Sequence, residues 1–327
     1  MRLSVVLPVL NEELNIRPLY DRLVAELERL TDDFELLYVD DGSSDASAER
    51  IEALHRSDPR VKLISLSRNF GHQVALTAGM DHASGDAVIL MDADLQHPPA
   101  LIGDLVARWR AGFETVYTIR GSAADAGILK RVTARVFYRL FRSMSGMDLP
   151  ANVADFRLLD RRVIEALRGI RERTRFLRGL TTWAGYRSTS VTYDAPARDQ
   201  GETKYTARRM IRLAIDALVS FSTIPLHIAI YFGFVLAALG FAYAVYALYS
   251  RLVTGNVLPG WTSLIIVFSV VGGIQLILMG ILGIYLGKIY EEVKQRPLYL
   301  VRSRVGLSDS HSASLAASPP AEREHAL

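Results

Sequence analysis

The fold is decided by one stretch of the chain, DAVILMDADLQHP, which covers residues 86–98. Its first half is a short apolar run, which is typical of a buried parallel strand. Asp92 and Asp94 follow, and an extended backbone points both carboxylates to one side, with Gln96 next on that face. Ligands of open α/β sheets bind beyond the carboxyl ends of strands. Three oxygen donors there suit Mg²⁺ or Mn²⁺, which keep positions open for substrate phosphates. The alternative interpretation is an acidic turn that caps the next helix.

The same pattern of strand, polar turn and helix recurs through the amino-terminal half. It predicts strands that begin near Ser4, Phe34, Val61, Asp86 and Glu114. Because strands alternate with helices, we expect a mostly parallel, doubly wound α/β sheet. No Gly-x-Gly-x-x-Gly follows the first strand, so the NAD-type fingerprint is absent. Carboxylates at the strand ends instead fit a nucleotide held through base, ribose and a metal-bound diphosphate.

Composition narrows the class of protein. A length of 327 residues allows about two domains, and 50% hydrophobic residues exceed what one soluble core needs. The net charge of +3 predicts no nucleic-acid partner. The absence of cysteine excludes disulfides and zinc–thiolate sites. The first residues enter a strand without a signal-peptide pattern, so we expect the amino-terminal part in the cytoplasm.

Two long apolar spans, at residues 226–250 and 262–287, are each near the ~20 residues that cross a bilayer. The segment before them, residues 207–225, has the basic and apolar faces of a helix lying in the membrane interface. Many cations flank the spans, whereas Arg251 is the one cation between them. The positive-inside rule then predicts a multi-pass protein of the cytoplasmic (inner) membrane with both termini in the cytoplasm.

The predicted organisation follows from these boundaries. It comprises a catalytic domain at 1–206, an amphipathic interfacial helix at 207–225, transmembrane helices at 226–250 and 262–287, a cytoplasmic juxtamembrane segment at 288–306, and a tail at 307–327. The tail is rich in Ser, Ala and Pro without an apolar period, so we expect it to be disordered.

Three motifs resemble the signatures of family 2 glycosyltransferases with a GT-A fold, namely Pro8–Glu12, Val39–Ser43 and Asp92–Gln96. More narrowly, the chain is similar to the polyprenyl-phosphate glycosyltransferases, which include dolichyl-phosphate mannose synthases, bactoprenol glucosyltransferases and undecaprenyl-phosphate aminoarabinose transferases. That narrower resemblance adds Asp155–Leu158, Arg198–Tyr205 and Tyr290–Tyr299. It extends over nearly the whole chain, and the order of the motifs makes it specific. It implies a Rossmann-like GT-A catalytic domain.

The resemblance also implies roles for individual residues. The nucleotide-sugar donor would be bound by Pro8, Leu10, Glu12, Val39, Asp41, Asp92, Ala93, Arg198 and Lys204. The ion, Mg²⁺ or Mn²⁺, would be held by Asp92, Asp94 and Gln96. The catalytic set would be Asp94, Asp155, Arg198 and Lys204. For Glu12 the alternative is a carboxylate in the first turn of a helix, which the helix dipole favours. Asp40 and Asp45 are interpreted as turn-shaping and helix-capping residues.

The acceptor phosphate needs planar, multidentate donors, and Arg120 and Arg131 are the candidates, with Arg135 as the alternate to Arg131. The spacing of Arg131, Arg135 and Arg139 places them on one helical face. A solvated basic face apposed to anionic lipid is the alternative. Asp155 has two interpretations: it is a general base, or it pairs with an arginine such as Arg157 or Arg131. We expect no essential base.

The function implied is an inverting, membrane-anchored transfer of a sugar to polyprenyl (undecaprenyl) phosphate for cell-envelope glycan modification. The segment Tyr290–Tyr299 favours a UDP-sugar such as UDP-glucose, and GDP-mannose is the alternative donor. A non-catalytic membrane scaffold is a second alternative, against which the retained donor and metal residues argue. A processive polysaccharide synthase does not fit, since Gln-x-x-Arg-Trp is absent and two spans cannot enclose a channel. Self-association into a homo-oligomer is compatible with the sequence.

Overall fold

The computed structural model describes residues 1–121, 153–173, 175–193, 224–254 and 260–307. The chain divides into two compact units. The first contains residues 1–138, 147–202 and 297–327, and the second contains residues 139–146 and 203–296. Arg131, Arg135, Arg139, Arg198 and Lys204 lie outside the described residues, as do nearly all of the predicted interfacial helix and tail.

The first unit is built on an eight-stranded sheet in the order β7-β5-β6-β4-β1-β2-β3-β8. Its strands are β1 (Leu3–Val9), β2 (Phe34–Asp40), β3 (Val61–Leu66), β4 (Ala87–Leu90), β5 (Thr115–Arg120), β6 (Val153–Asp160), β7 (Ser188–Tyr193) and β8 (Val301–Val305). Strands β4, β1, β2 and β3 are parallel, whereas β6 runs antiparallel to both β4 and β5. The predicted mostly parallel α/β sheet is therefore confirmed.

Helices cover both faces of this sheet. They are α1 (Ile16–Leu27), α2 (Ser47–Ser57), α3 (His72–His82), α4 (Ile102–Arg110), α5 (Arg161–Gly169) and α6 (Leu177–Trp183). Each long helix buries an apolar stripe, as α1 does with Ile16, Leu19, Leu23 and Leu27. Strands β1, β2 and β4 are buried along their whole length, which is why their sequences are mostly apolar. The polar residues at their carboxyl ends are thereby brought to one edge.

The strand β8 was not predicted. It pairs antiparallel with β3, and Ser67 donates its backbone N–H to the Leu300 carbonyl at 2.8 Å. Just before it, the Tyr299 hydroxyl donates to Asp81 of α3 at 2.9 Å. Residues 301–305 therefore form an edge strand of the sheet, although they fall within the predicted juxtamembrane segment 288–306. Basic residues such as Arg302 and Arg304 are typical of an edge strand, and they interrupt the apolar residues from which a strand is predicted.

The second unit contains two long apolar helices, α7 (Ile224–Tyr249) and α8 (Trp261–Val293). A single π-helical turn, Ser250–Thr254, follows α7. The segments Ala229–Ala247 and Val270–Val293 have mean hydropathies of 1.8 and 2.0 and are not buried. By length and composition they are sufficient to cross a membrane. The predicted spans lie on these helices, although α8 continues beyond residue 287 to Val293.

Candidate active site

The carboxylate turn begins where β4 ends, at Leu90. The backbone does not stay extended through it, because Leu95 has a φ of 62°. As a result the Gln96 N–H folds back and donates to Asp94 Oδ1 at 3.1 Å. The expected alternation of Asp92, Asp94 and Gln96 on one extended face is therefore wrong beyond Asp94. A leucine held at positive φ stores roughly 1–3 kcal/mol of strain, and such residues cluster at functional sites.

Two histidines flank Asp92, and they are bonded differently. His72, the first residue of α3, places Nε2 2.7 Å from Asp92 Oδ1. His97 lies 3.8 Å from Asp92 Oδ2, but its Nδ1 accepts the Asp92 backbone N–H at 3.4 Å. An accepting Nδ1 carries no proton, so His97 is a neutral ring rather than an ion-pair partner. Its buried ring stacks on Phe156 with the centroids 5.3 Å apart.

The electrostatics of these groups agree with their contacts. Burial lowers the pKa of His97 and outweighs the attraction of Asp92. Burial also opposes the charge on His72, but the hydrogen bond and charge of Asp92 raise the pKa of His72 above its ordinary value. Conversely, burial disfavours ionised Asp92, yet the His72 bond keeps the pKa of Asp92 below its ordinary value. Asp92 is therefore an anion at neutral pH.

Asp155 reaches the same end of the sheet from β6. Leu90 of β4 faces Arg157 in the antiparallel pair, so Asp155 lies beyond the end of β4. Arg178 of α6 donates to both oxygens of Asp155, at 2.8 and 2.9 Å, and Arg157 Nη2 lies 3.7 Å away. Of the two interpretations of Asp155, the arginine-paired carboxylate matches this geometry. The principal partner is Arg178, which the sequence did not single out.

This ion pair is largely enclosed. Arg157 is fully buried and also donates to Thr181 Oγ1 at 2.9 Å and to the Ala154 carbonyl at 3.0 Å. Burial lowers the pKa of Arg157 to about 10, so it remains charged at neutral pH. Burial opposes ionisation of Asp155, but the charge and hydrogen bonds of Arg178, followed by the charge of Arg157, hold the pKa of Asp155 far below its ordinary value.

Arg120 connects β5 to the carboxylate turn. Its Nη2 donates to Gln96 Oε1 at 3.2 Å, and its Nε donates to the Tyr193 hydroxyl at 3.1 Å. The predicted phosphate-binding arginine is thus adjacent to the predicted metal site. Because Gln96 Oε1 accepts this hydrogen bond from Arg120, it would have to give up the bond to become a metal ligand.

At the predicted nucleotide end, Asp41 is already bonded to the backbone. Its two oxygens accept the N–H groups of Phe70 and Gly71 at 2.7 and 2.9 Å. Burial raises the pKa of Asp41, while these bonds oppose the rise. Gly42 follows with a φ of 79°, and a Cβ there would lie 2.8 Å from the Arg68 backbone carbon. Asp41 and Gly42 therefore hold the loop that precedes α3, whatever contact Asp41 makes with a base.

The neighbouring acidic residues have local roles. Asp40 accepts the Ser43 N–H at 2.8 Å, which confirms its turn-shaping interpretation. Asp45 accepts the N–H of Ser47, the first residue of α2, at 3.0 Å, although the N-cap position of this helix is Ala46. Glu12 accepts from the Asn15 side chain at 2.5 Å, just before α1. Glu12 lies before Asn15, the N-cap residue of α1, and the first turn of this helix holds no acidic residue, so the interpretation of Glu12 as a first-turn carboxylate is wrong.

The remaining predicted nucleotide residues differ in accessibility. Pro8 and Val39 pair across β1 and β2 and are buried, with the Val39 side chain against Gly79 of α3. Leu10 is exposed at the end of β1, and Ala93 is buried within the carboxylate turn. Of these side chains, Leu10 is the one open to solvent.

The donor groups fit a divalent ion only in part. Within the described ranges, no three His, Asp or Glu side chains gather as a metal cage. Asp94 Oδ2 accepts no hydrogen bond from any described residue. The same is true of Asp92 Oδ2, which His97 Nδ1 approaches only to 3.8 Å. Two carboxylates suit an ion such as Mg²⁺ that takes its other ligands from water and substrate phosphates.

Three residues of this site were missed by the sequence interpretation, namely His72, His97 and Arg178. A usable signal existed for His72, because it opens the helix after β3 and so lies at the carboxyl edge of the sheet. His97 follows the carboxylate pair within the same turn. Arg178 gave no comparable signal, since its partner Asp155 is on a strand that was not predicted.

Comparison with known proteins identifies the enzyme family to which the chain belongs. The family model for Glycosyl transferase family 2 matches residues 4–168. "Uncharacterized glycosyltransferase YkcC" of Bacillus subtilis (strain 168) is 43% identical over 94% of this chain and 95% of its own length. The "Bactoprenol glucosyl transferase" of Shigella phage SfII is 41% identical over 92% and 98%, respectively. The "Prophage bactoprenol glucosyl transferase homolog" of Escherichia coli (strain K12) is 40% identical over 92% and 99%.

Among solved structures, the chain is similar to glucosyl-3-phosphoglycerate synthase from Mycobacterium tuberculosis in complex with Mn²⁺, UDP and phosphoglyceric acid. The TM-score is 0.47 at 20% identity, over 67% of this chain and 76% of that chain. The sequence relatives carry the assignment. The protein is a glycosyltransferase, the enzyme class that the resemblance of its motifs implied. It belongs to glycosyl transferase family 2.

Proposed function

We propose that the enzyme transfers glucose from UDP-glucose to a polyprenyl phosphate, with inversion at the anomeric carbon. The observation that carries this proposal is the similarity to bactoprenol glucosyl transferases, which extends over 92% of the chain and 98% of the relative's length. The similarity therefore includes the apolar helices as well as the catalytic domain. A lipid acceptor gives those helices a purpose, since they would hold the catalytic domain at the surface where the acceptor lies.

The donor would occupy the edge of the sheet formed by the ends of β1, β2 and β4. Asp94, together with Asp92, would hold Mg²⁺ or Mn²⁺, which would neutralise charge on the departing diphosphate. Asp41 fixes the loop around Phe70 and Gly71, and this part of the site would receive the nucleoside. Arg198 and Lys204 are proposed as further partners of the diphosphate.

The acceptor would bind through its phosphate. Arg120 lies beside the carboxylate turn and donates to Gln96, so a phosphate bound to it would be close to the donor. Arg131, with Arg135 as the alternate, would supply additional guanidinium donors. A phosphate oxygen would attack the anomeric carbon opposite the leaving diphosphate, which inverts the configuration.

This chemistry requires no proton acceptor from the protein. A phosphate monoester has a second pKa near ~6, so its attacking oxygen is already anionic at neutral pH. Asp155 is poorly suited to be a base, because its two arginine partners depress its pKa and weaken its affinity for a proton. Its proposed role is to hold Arg157 and Arg178 in place.

We also propose that α7 and α8 form a transmembrane hairpin in the cytoplasmic membrane. Both helices are long and apolar enough, and the cations flanking them favour a cytoplasmic position for both termini. The catalytic domain would then meet nucleotide-sugars in the cytoplasm and the lipid phosphate at the inner surface.

A donor panel tests the proposal. Membranes containing the protein would be incubated with undecaprenyl phosphate and labelled UDP-glucose, UDP-galactose, UDP-N-acetylglucosamine or GDP-mannose, and the lipid would then be extracted. We expect label from UDP-glucose in the lipid fraction, and none from membranes carrying Asp94→Asn. Transfer from GDP-mannose alone would favour the mannosyl alternative. If no donor labelled the lipid above the Asp94→Asn control, the transferase assignment to this acceptor would be wrong.

A further inference from the structure

The histidine at the start of α3 is bonded to the carboxylate turn without being part of it. His72 Nε2 lies 2.7 Å from Asp92 Oδ1, the shortest contact that Asp92 makes among the described residues. The His72 side chain is 43% exposed. It is thus a polar group at the site that no predicted role uses.

The position of His72 is set by the nucleotide motif. Asp41 accepts the N–H groups of Phe70 and Gly71, the two residues that precede His72. Gly71 has a φ of 103°, a conformation that a side chain would strain, and it turns the chain into α3. A continuous series of contacts therefore runs from Asp41 through this loop to His72 and on to Asp92.

The other ring nitrogen is also constrained. Gln73 places Nε2 3.3 Å from His72 Nδ1, while Gln73 Oε1 accepts the Leu177 N–H of α6 at 3.2 Å. The amide thus presents an N–H to Nδ1, which leaves Nε2 as the nitrogen that donates to Asp92. The donor reaching Asp92 is present whether or not the ring carries a second proton.

We infer that His72 is a positioning residue that connects the nucleotide end of the donor site to its metal end. Its hydrogen bond occupies Asp92 Oδ1 and leaves Oδ2 as the oxygen for the donor complex. This inference rests on the proposed use of Asp92 and Asp94 to bind a metal-associated nucleotide. Groups that orient a ligating side chain typically contribute 10- to 100-fold to metal affinity.

The inference predicts a specific defect. Without the His72 donor, Asp92 is free to rotate, and the affinity for UDP with Mn²⁺ should fall by roughly 10- to 100-fold. Affinity for UDP alone should change little, because the loop held by Asp41 remains intact. A residue needed only for folding would not separate the two affinities in this way.

The test is UDP binding to the purified full-length protein by calorimetry, with and without Mn²⁺. His72→Leu removes the donor, whereas His72→Gln returns an amide N–H near the position of Nε2. His55→Leu is the matched control, since His55 bonds to the Val61 carbonyl away from the carboxylate turn. We expect His72→Leu to lose the Mn²⁺-dependent gain in affinity, His72→Gln to recover most of it, and His55→Leu to match the wild type.

Two results would overturn the role of His72. One is wild-type Mn²⁺-dependent binding by His72→Leu, and the other is a defect in His72→Gln as large as that of His72→Leu. Failure of the proposed function is distinguishable, because the wild type itself would then show no Mn²⁺-dependent binding of UDP. Binding to the wild type that is unchanged in His72→Leu rejects the positioning role alone.

Discussion

Replacing Asp155 by asparagine separates a structural carboxylate from a catalytic base. Asp155 is 14% exposed and bonds Arg178 through both oxygens, with the fully buried Arg157 3.7 Å away. The asparagine keeps the shape but removes the charge, so two guanidinium groups lose their counter-ion. Arg178→Met is the complementary change, because Asp155 then keeps Arg157 as a partner.

The expected cost follows from these burials. Breaking a buried ion pair by removing one partner costs about 3–5 kcal/mol. Arg178 is 32% exposed and is partly solvated after the loss, which reduces the cost for Asp155→Asn to about 2–4 kcal/mol. Arg178→Met should cost less, about 1–2 kcal/mol, since no buried charge is left alone. Asp21→Asn is the surface control: its arginine partner Arg17 is 67% exposed, so we expect stability close to that of the wild type.

The assay has two parts. Denaturant unfolding of the purified protein in detergent gives the order of stabilities, and the rate of sugar transfer is measured against pH. We expect Asp155→Asn to be the least stable variant, with a reduced rate but an acidic limb still set by the lipid phosphate near pH ~6. Asp155 would instead be a catalytic base if Asp155→Asn kept wild-type stability, lost that limb, and fell far below Arg178→Met in rate.

Three further predictions concern the metal, acid stability and topology. Asp94→Asn should fold and enter membranes but lose most turnover; near-normal turnover at limiting Mg²⁺ would contradict the metal assignment. Glu35 is buried and accepts from Lys62, Ser4 and Ser84, and although burial opposes its charge, these bonds lower its pKa. The stabilisation that Glu35 contributes is therefore complete above the pKa of about 4.3 that a glutamate has in the unfolded chain. It is lost as the pH falls through the lower pKa of Glu35 in the folded protein. Glu35→Gln should unfold more readily at neutral pH by about 2 kcal/mol, and the gap in melting temperature from wild type should narrow in acid. Tags at Met1 and Leu327 should resist protease added outside intact cells, whereas one at Gly255 should be cut; cleavage at Leu327 would overturn the topology.

The predictable part of the fold is the part that local sequence determines. Strands β1 to β4 are largely apolar runs that pair in parallel with one another, and their length and composition are visible without knowledge of any partner. Strand β6 alternates charged and apolar residues because Asp155 and Arg157 point to the site while Phe156 enters the core. Strand β8 depends on pairing with a segment more than 200 positions away, which no local pattern records.

The site shows the same division. Asp92 and Asp94 were placed correctly at the end of β4, since the end of a buried strand is locally encoded. The alternation rule then failed at Leu95, because a single residue with positive φ turns the chain and sends Gln96 towards Arg120. His72 and Arg178 lie on helices and contact residues 20 and 23 positions away, Asp92 and Asp155. Such partners follow from topology rather than from spacing along the chain.

We propose that the acceptor is a phosphate monoester whose anionic oxygen needs no base. The most direct measurement compares undecaprenyl phosphate with undecaprenol as acceptors for the purified enzyme, with UDP-glucose and Mg²⁺ held constant. We expect a glucosylated lipid phosphate as the product and no transfer to the alcohol, whose hydroxyl would require deprotonation. Transfer to undecaprenol at a comparable rate would contradict it.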